Sequence, residues 1–194
     1  MIAADFLDRV MPNLAKLGSD KFNHTSWRYE NRPTSEGVGL MPAQVDIEVI
    51  ARCILDVEHY PENVKYVEST EVIDRRSGTD VIYIQRMSLP VLGKIQVQID
   101  LSEIAERDGW RIIAWDQDDA GTDKLDKKQG ARTAYNLGAW LLREDAVAYA
   151  LSSAPAKKDV GTLKYMAMTK GADAMVSDML KQNIEGMIAW SASV

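Results

Sequence analysis

With 194 residues, 46% of them apolar and 27% charged, the chain has the length and make-up of one globular domain with a substantial core. A net charge of −6, with no Lys/Arg run interleaved with aromatics to offset it, argues against a nucleic-acid partner. Cys53 is the single cysteine, so no internal disulfide can form, and no apolar run approaches the length of a membrane span.

The first segment, "MIAADFLDRVMPNLAKLG", is broken by Asp5, Asp8 and Arg9 and is no signal-peptide core. Its spaced Phe6, Val10, Leu14 and Leu17 predict a short amphipathic helix that Pro12 should kink or divide. Residues 1–20 are therefore expected to be a helical extension, and 21–194 one domain. A lone cysteine fits a reducing compartment, which makes the cytoplasm the expected location; a chain shortened by a leader would look the same.

"KFNHTSWRYENR" reads as a strand, and "PTSEG" as a loop. Pro42 stands where a first-turn proline would, ahead of a helix in "AQVDIEVIARCILD", whose Ile47, Ile50 and Ile54 widen one apolar face. Tyr60-Pro61 should force Tyr60 out of helical geometry, because a proline disfavours the α region for the residue before it. "ENVKYV" offers one more short turn.

Beyond this corner the period becomes alternating. A strand closes over 71–76, and "RSGT" is a hairpin turn. "DVIYIQRMSLP" sets Val81, Tyr83, Gln85, Met87 and Leu89 on one face, with Ile82, Ile84, Arg86 and Ser88 on the other. "VLGK" turns the chain into "KIQVQIDLSEI", where Ile95, Val97, Ile99 and Leu101 oppose Lys94, Gln96, Gln98 and Asp100. "WRIIAWDQ" is the next strand. A polar, solvated turn over 118–130 precedes "ARTAYNLGAWLLR" and "DAVAYALSSA", two strands joined at Glu144-Asp145.

From about Leu163 to Trp190 the helical period returns. Met175, Met179, Asn183, Met187 and Trp190 recur every three or four residues, opposite Lys170, Asp173, Asp178, Lys181 and Glu185. The order of elements predicts an α+β fold in which a curved antiparallel meander is covered by one long terminal helix. A straight helix touches a curled sheet along a line, so an elongated cavity between them is expected. The methionines suit an adaptable apolar surface, although such a stripe is commonly plain core.

Several segments, as an ordered set, resemble the START-like superfamily of lipid-transfer proteins and polyketide cyclases. "ILDVEHYPENVKYVESTEVIDR" resembles its passage from a helix ending in Asp, through a proline corner, into a strand of Val-x-x-x-Glu-Val type. "RMSLPVLGKIQVQI" resembles two strands around a Pro-containing turn, "RTAYNLGAWLLREDAVAYALSSAP" a strand pair with Gly-x-Trp, and "VSDMLKQNIEGMIAW" the C-terminal helix. The likeness spans about residues 40–190. It implies the helix-grip fold and a cavity for a hydrophobic small molecule such as a lipid or sterol, with transient membrane contact and without a cofactor. It leaves the ligand, the oligomeric state and any chemistry open.

The candidate ligand-binding residues are Tyr83, Gln85, Met87, Val97, Ile99, Trp115, Tyr135, Trp140, Tyr149, Met175 and Met179. Arg86, Arg132 and Asn136 are candidate polar anchors, with the solvent face as the plainer placement for each. No catalytic residue stands out. His24 and His59 lie in polar segments, Cys53 falls on an apolar helix face, and there is no Gly-x-Ser-x-Gly. No Cys/His spacing suits zinc, and "DQDDAGTD" fails the calcium-loop register at Ala120 and Lys127. Binding and transfer is the leading reading. A polyketide cyclase or aromatase using the same cavity is the rival, with Arg86, Tyr83, Tyr135 and Asp100 as first suspects.

Overall fold

The computed structural model describes residues 2–90 and 93–194. Eight strands form one sheet in the order β1-β2-β8-β7-β6-β5-β4-β3. They are β1 (Asn23–Trp27), β2 (Glu36–Pro42), β3 (Val67–Ser77), β4 (Asp80–Leu89), β5 (Gly93–Arg107), β6 (Trp110–Gln117), β7 (Ala131–Arg143) and β8 (Ala146–Pro155). All neighbours pair antiparallel, and a short parallel bridge joins Ile95 and Gln96 of β5 to Ala131 and Arg132 of β7. The helices are α1 (Ile2–Leu14), α2 (Ile47–Leu55), α3 (Tyr60–Asn63), α4 (Asp119–Thr122), α5 (Lys157–Val160) and the long α6 (Thr162–Ser191). This is the α+β helix-grip arrangement, a curved antiparallel sheet around a C-terminal helix.

The sheet buries both faces, because alternate side chains of β7 and β8 point opposite ways. Leu137, Ala139 and Leu141 meet Phe6, Val10 and Leu14 of α1 on the outer face. Trp140, Leu142 and Val147 join Ile50, Ile54, Ile184, Met187 and Trp190 on the inner one. The buried carboxylate of Glu36 fastens α1 to the outer face. It accepts two hydrogen bonds from Arg9 and one each from Arg32 and the Trp27 indole, all at 2.8–2.9 Å. Four donors to one carboxylate offset the cost of burying its charge.

Several expectations need correction. The segment read as a loop into a helix is mostly β2: Glu36 and Gly37 open that strand, and Pro42 ends it. Helix α2 starts five residues later, where the Asp46 carboxylate accepts from the Glu48 and Val49 amides. Helix α1 runs undivided through Pro12, which falls in its last turn. Tyr60 keeps helical angles (φ −58°, ψ −39°), and Pro61 falls in the first turn of α3, where its missing N–H costs nothing. Strand β1 is shorter than the segment assigned to it, and β3 longer. The expected "VLGK" turn includes Val91 and Leu92, which lie outside the described residues.

The stretch 118–130 is not a bare solvated turn. It lies against the outer face of β5, where Gln98 bonds Asp118 and Thr122, and Gln96 donates to the carbonyls of Asp126 and Gly130. Gln96 and Thr122 are buried beneath it.

Candidate ligand cavity

Helix α2 ends at Asp56, and the Tyr60 hydroxyl donates back to the Ile54 carbonyl, one of the acceptors a helix end leaves unpaired. His59 bonds the Asp56 carboxylate at 2.8 Å, which raises its pKa. The corner thus brings the Tyr60 ring against Tyr83 and Trp190, with edge-on centroid separations of 6.1 and 6.2 Å. It forms one end wall of a cavity between the inner sheet face and α6.

That cavity has a volume of about 130 Å³. Nine of the candidate residues lie around it: Tyr83, Gln85 and Met87 on β4, Ile99 on β5, Trp115 on β6, Asn136 and Trp140 on β7, Tyr149 on β8 and Met179 on α6. Strict alternation explains the strand positions. It also explains Tyr135, which neighbours the inward Asn136 and so faces outward, with its hydroxyl 2.7 Å from Thr34 Oγ1. Val97 is consumed by packed core. Met175 yields the lining position to Val176, one residue on. Neither arginine reaches the cavity. Arg86 pairs with Glu71 of β3, and Arg132 is buried against Asp159 at 2.6 Å.

Sequence reasoning named no ligand-binding role for Tyr60, Tyr66, Leu180 or Asn183, which also line the space. Asn183 had a readable signal, a lone amide on the methionine stripe. Tyr66 had none, since its position depends on how the corner folds.

The interior is aromatic and almost uncharged. Trp115 stacks on Tyr149 at 5.5 Å, and Trp140 lies 4.4 Å from the same ring at a tilt of 51°. Among the described lining residues only Lys65 carries a charge, and it is exposed. The Trp115 indole donates to Asn136 Oδ1 at 2.7 Å, the Asn136 amide to Ser153 Oγ at 3.2 Å, and the Tyr83 hydroxyl to Gln85 Oε1 at 3.1 Å. Burial pushes the Tyr60, Tyr83 and Tyr149 phenols well up, so all three stay protonated at neutral pH. Cys53 is raised by burial too and lies outside the lining, as do His24 and His59.

The roof is anchored unevenly. Leu180, Ile184, Met187 and Trp190 in the second half of α6 are buried. In the first half Met168 is buried, whereas Leu163 is 85% and Met166 63% exposed. Gly161, at φ +75°, separates this half from α5. A void of about 150 Å³ accommodates benzene, so a guest of sterol size needs the enclosure to widen.

No family model matches the chain, and no curated protein matches it in sequence. Its fold is similar to that of a STAR-related lipid transfer protein from Xanthomonas axonopodis, with a TM-score of 0.71 and 13% identity over 91% of this chain and 96% of that one. Human STARD10 matches with a TM-score of 0.64 and 14% identity, over 95% and 81% of the two chains. The Zhui aromatase/cyclase of Streptomyces sp. R1128 matches at 0.53 and 12%, over 88% and 94%. At such identities the likeness establishes the fold alone. The chain has the START-like helix-grip fold.

Proposed function

We propose that the protein binds a hydrophobic small molecule between its sheet and α6, and hands it on when the first half of that helix lifts. The observation that carries this reading is the cavity itself, an aromatic and apolar space kept open in an otherwise packed interior. Residues 21–194 would form the binding unit, with α1 an extension on the outer face. Leu163 and Met166, exposed at the start of α6, supply the apolar contact for a brief encounter with a membrane during delivery. The lining offers no histidine, cysteine or carboxylate among its described residues, which favours binding over chemistry.

The alternative is a polyketide cyclase or aromatase. It is supported by the neutral phenols of Tyr60, Tyr83 and Tyr149, which can donate hydrogen bonds to carbonyl groups of a folded chain. Solvent extraction of the purified protein followed by mass spectrometry tests the first reading. A co-purifying apolar molecule is expected. A protein that is empty and ignores fluorescent sterols and fatty acids would overturn it.

A further inference from the structure

The cavity contains polar groups whose hydrogen-bonding capacity the protein leaves unused. Of the three buried phenols, Tyr60 donates to Ile54 and Tyr83 to Gln85. The hydroxyl of Tyr149 is shifted by burial alone and meets no hydrogen-bond partner among the described residues. On the opposite wall, the partly buried Asn183 of α6 also lines the space, and among the described residues its amide has no hydrogen-bond partner. An unpaired hydroxyl in an apolar enclosure is costly, and that of Tyr149 survives here across one void from the partly buried Asn183.

The shape of the floor adds a second constraint. Trp115 lies across Gly138, where an added Cβ would come within 2.2 Å of the indole. With no side chain at 138, the ring lies along the sheet and stacks on Tyr149, against which Trp140 packs at a tilt of 51°. Such an aromatic cluster favours a ring-bearing guest, which can add to the ring contacts, over a flexible acyl chain. Charge is the third constraint, because Lys65, the one cation among the described lining residues, is exposed. A carboxylate drawn inside would lose its hydration with no cation to meet it.

We propose that the cavity selects an uncharged, ring-bearing ligand with a carbonyl or hydroxyl oxygen, which the Tyr149 hydroxyl and the Asn183 amide hold beside the Trp115–Tyr149–Trp140 ring cluster. This rests on the binding reading above and narrows its ligand class. Tyr149 and Asn183 are the specificity-determining residues. A phenol donates to an oxygen acceptor, whereas the amide both donates and accepts, so a ketone or an alcohol fits and a hydrocarbon leaves both groups unpaired.

The test uses three bicyclic probes of one shape: 2-acetylnaphthalene, 2-naphthoate and 2-ethylnaphthalene, with laurate as a chain control. Binding is followed by quenching of tryptophan fluorescence at about pH 7.5, where the carboxylates are ionised. The ketone is expected to bind at least about tenfold more tightly than 2-naphthoate, given the cost of burying a charge. Tyr149→Phe and Asn183→Leu should each weaken the ketone by about threefold to tenfold, the value of one neutral hydrogen bond, and leave 2-ethylnaphthalene unchanged. Thermal unfolding of both variants checks that the fold persists.

Equal or tighter binding of 2-naphthoate overturns the proposal, as does a ketone-to-hydrocarbon ratio that neither substitution moves. If laurate binds, is blocked by Met179→Trp, and the ketone does not bind, the cavity stands and this ligand class falls. If none of the four binds, the binding reading fails and takes the proposal with it.

Discussion

Trp115 and Gly138 are directly opposed on β6 and β7, and the indole occupies the space a side chain at 138 would need. A Cβ there would also meet the Ala150 carbonyl at 2.4 Å, so the ring cannot solve the clash by moving alone. Gly138→Ala is therefore expected to destabilise the fold by about 1–3 kcal/mol, the usual cost of overpacking. It should also shift the emission of Trp115 as the ring tilts off the sheet. Urea unfolding and fluorescence spectra check both; an unchanged midpoint and spectrum would contradict this packing.

Glycine also explains why part of the fold was hard to read. In "EGVGLMP" the glycines at 37 and 39 look like loop residues, yet β2 needs them because α6 presses close. A Cβ on Gly37 would lie 2.8 Å from Val176, and one on Gly39 would lie 3.1 Å from Leu180. The sequence states the small residues but not the helix they make room for. In β4 and β5 the reverse holds: alternation alone assigned Tyr83, Gln85, Met87 and Ile99 to one face, and all four line the cavity. Tyr135 and Asn136 were both offered as candidates, although a period of two lets only one of two neighbours face inward. Arg132 was unreadable for a different cause. Its partner Asp159 lies 27 positions away, and only the paired ends of β7 and β8 bring the two together.

The Arg132–Asp159 pair carries a stability prediction. Both side chains are almost fully buried, and Asp159 accepts from the Arg132 backbone and from two guanidinium nitrogens. Arg132→Met removes the buried cation and leaves the carboxylate only the exposed Lys127 at 3.3 Å, at an expected cost of about 3 kcal/mol.

The same pair sets a pH dependence. Hydrogen bonds from Arg132 hold the Asp159 carboxyl well below its ordinary value. A group with a depressed folded pKa contributes its stability above the unfolded pKa of about 3.9 and loses it as the pH falls further. The urea midpoint should therefore be steady above about pH 5 and decline below about pH 4, with a shallower acid decline in the Arg132→Met variant. Parallel acid slopes in the two proteins would assign the effect to other carboxylates.

Met179 separates a void from a solid core. It lines the cavity from α6 and is only partly buried, so space lies beside it. Met179→Trp should occupy that space, reduce binding of apolar probes by about tenfold or more, and change stability by less than about 1.5 kcal/mol. Probe titration alongside thermal unfolding checks this, and global unfolding of the variant would mean that the stripe is fully packed.

Asp173 ties the roof to the rim. Its carboxylate pairs with Arg28 and accepts from the Ser35 amide at 2.8 Å, so the loop carrying the lining residues Thr34 and Ser35 is fastened to the middle of α6. Arg28 is 54% exposed, and ion pairs in such positions contribute under about 1 kcal/mol to stability. Their effect on a local opening is larger in proportion, because among the described residues of the first half of α6 Met168 alone is buried. Asp173→Ala is thus expected to leave the unfolding midpoint nearly unchanged, while the Ser35 amide exchanges faster with solvent and bound probes leave the cavity severalfold sooner. Amide exchange and stopped-flow displacement measure the two effects. Faster exchange at Ser35 with unaltered probe release would place the route out of the cavity elsewhere than between this loop and α6.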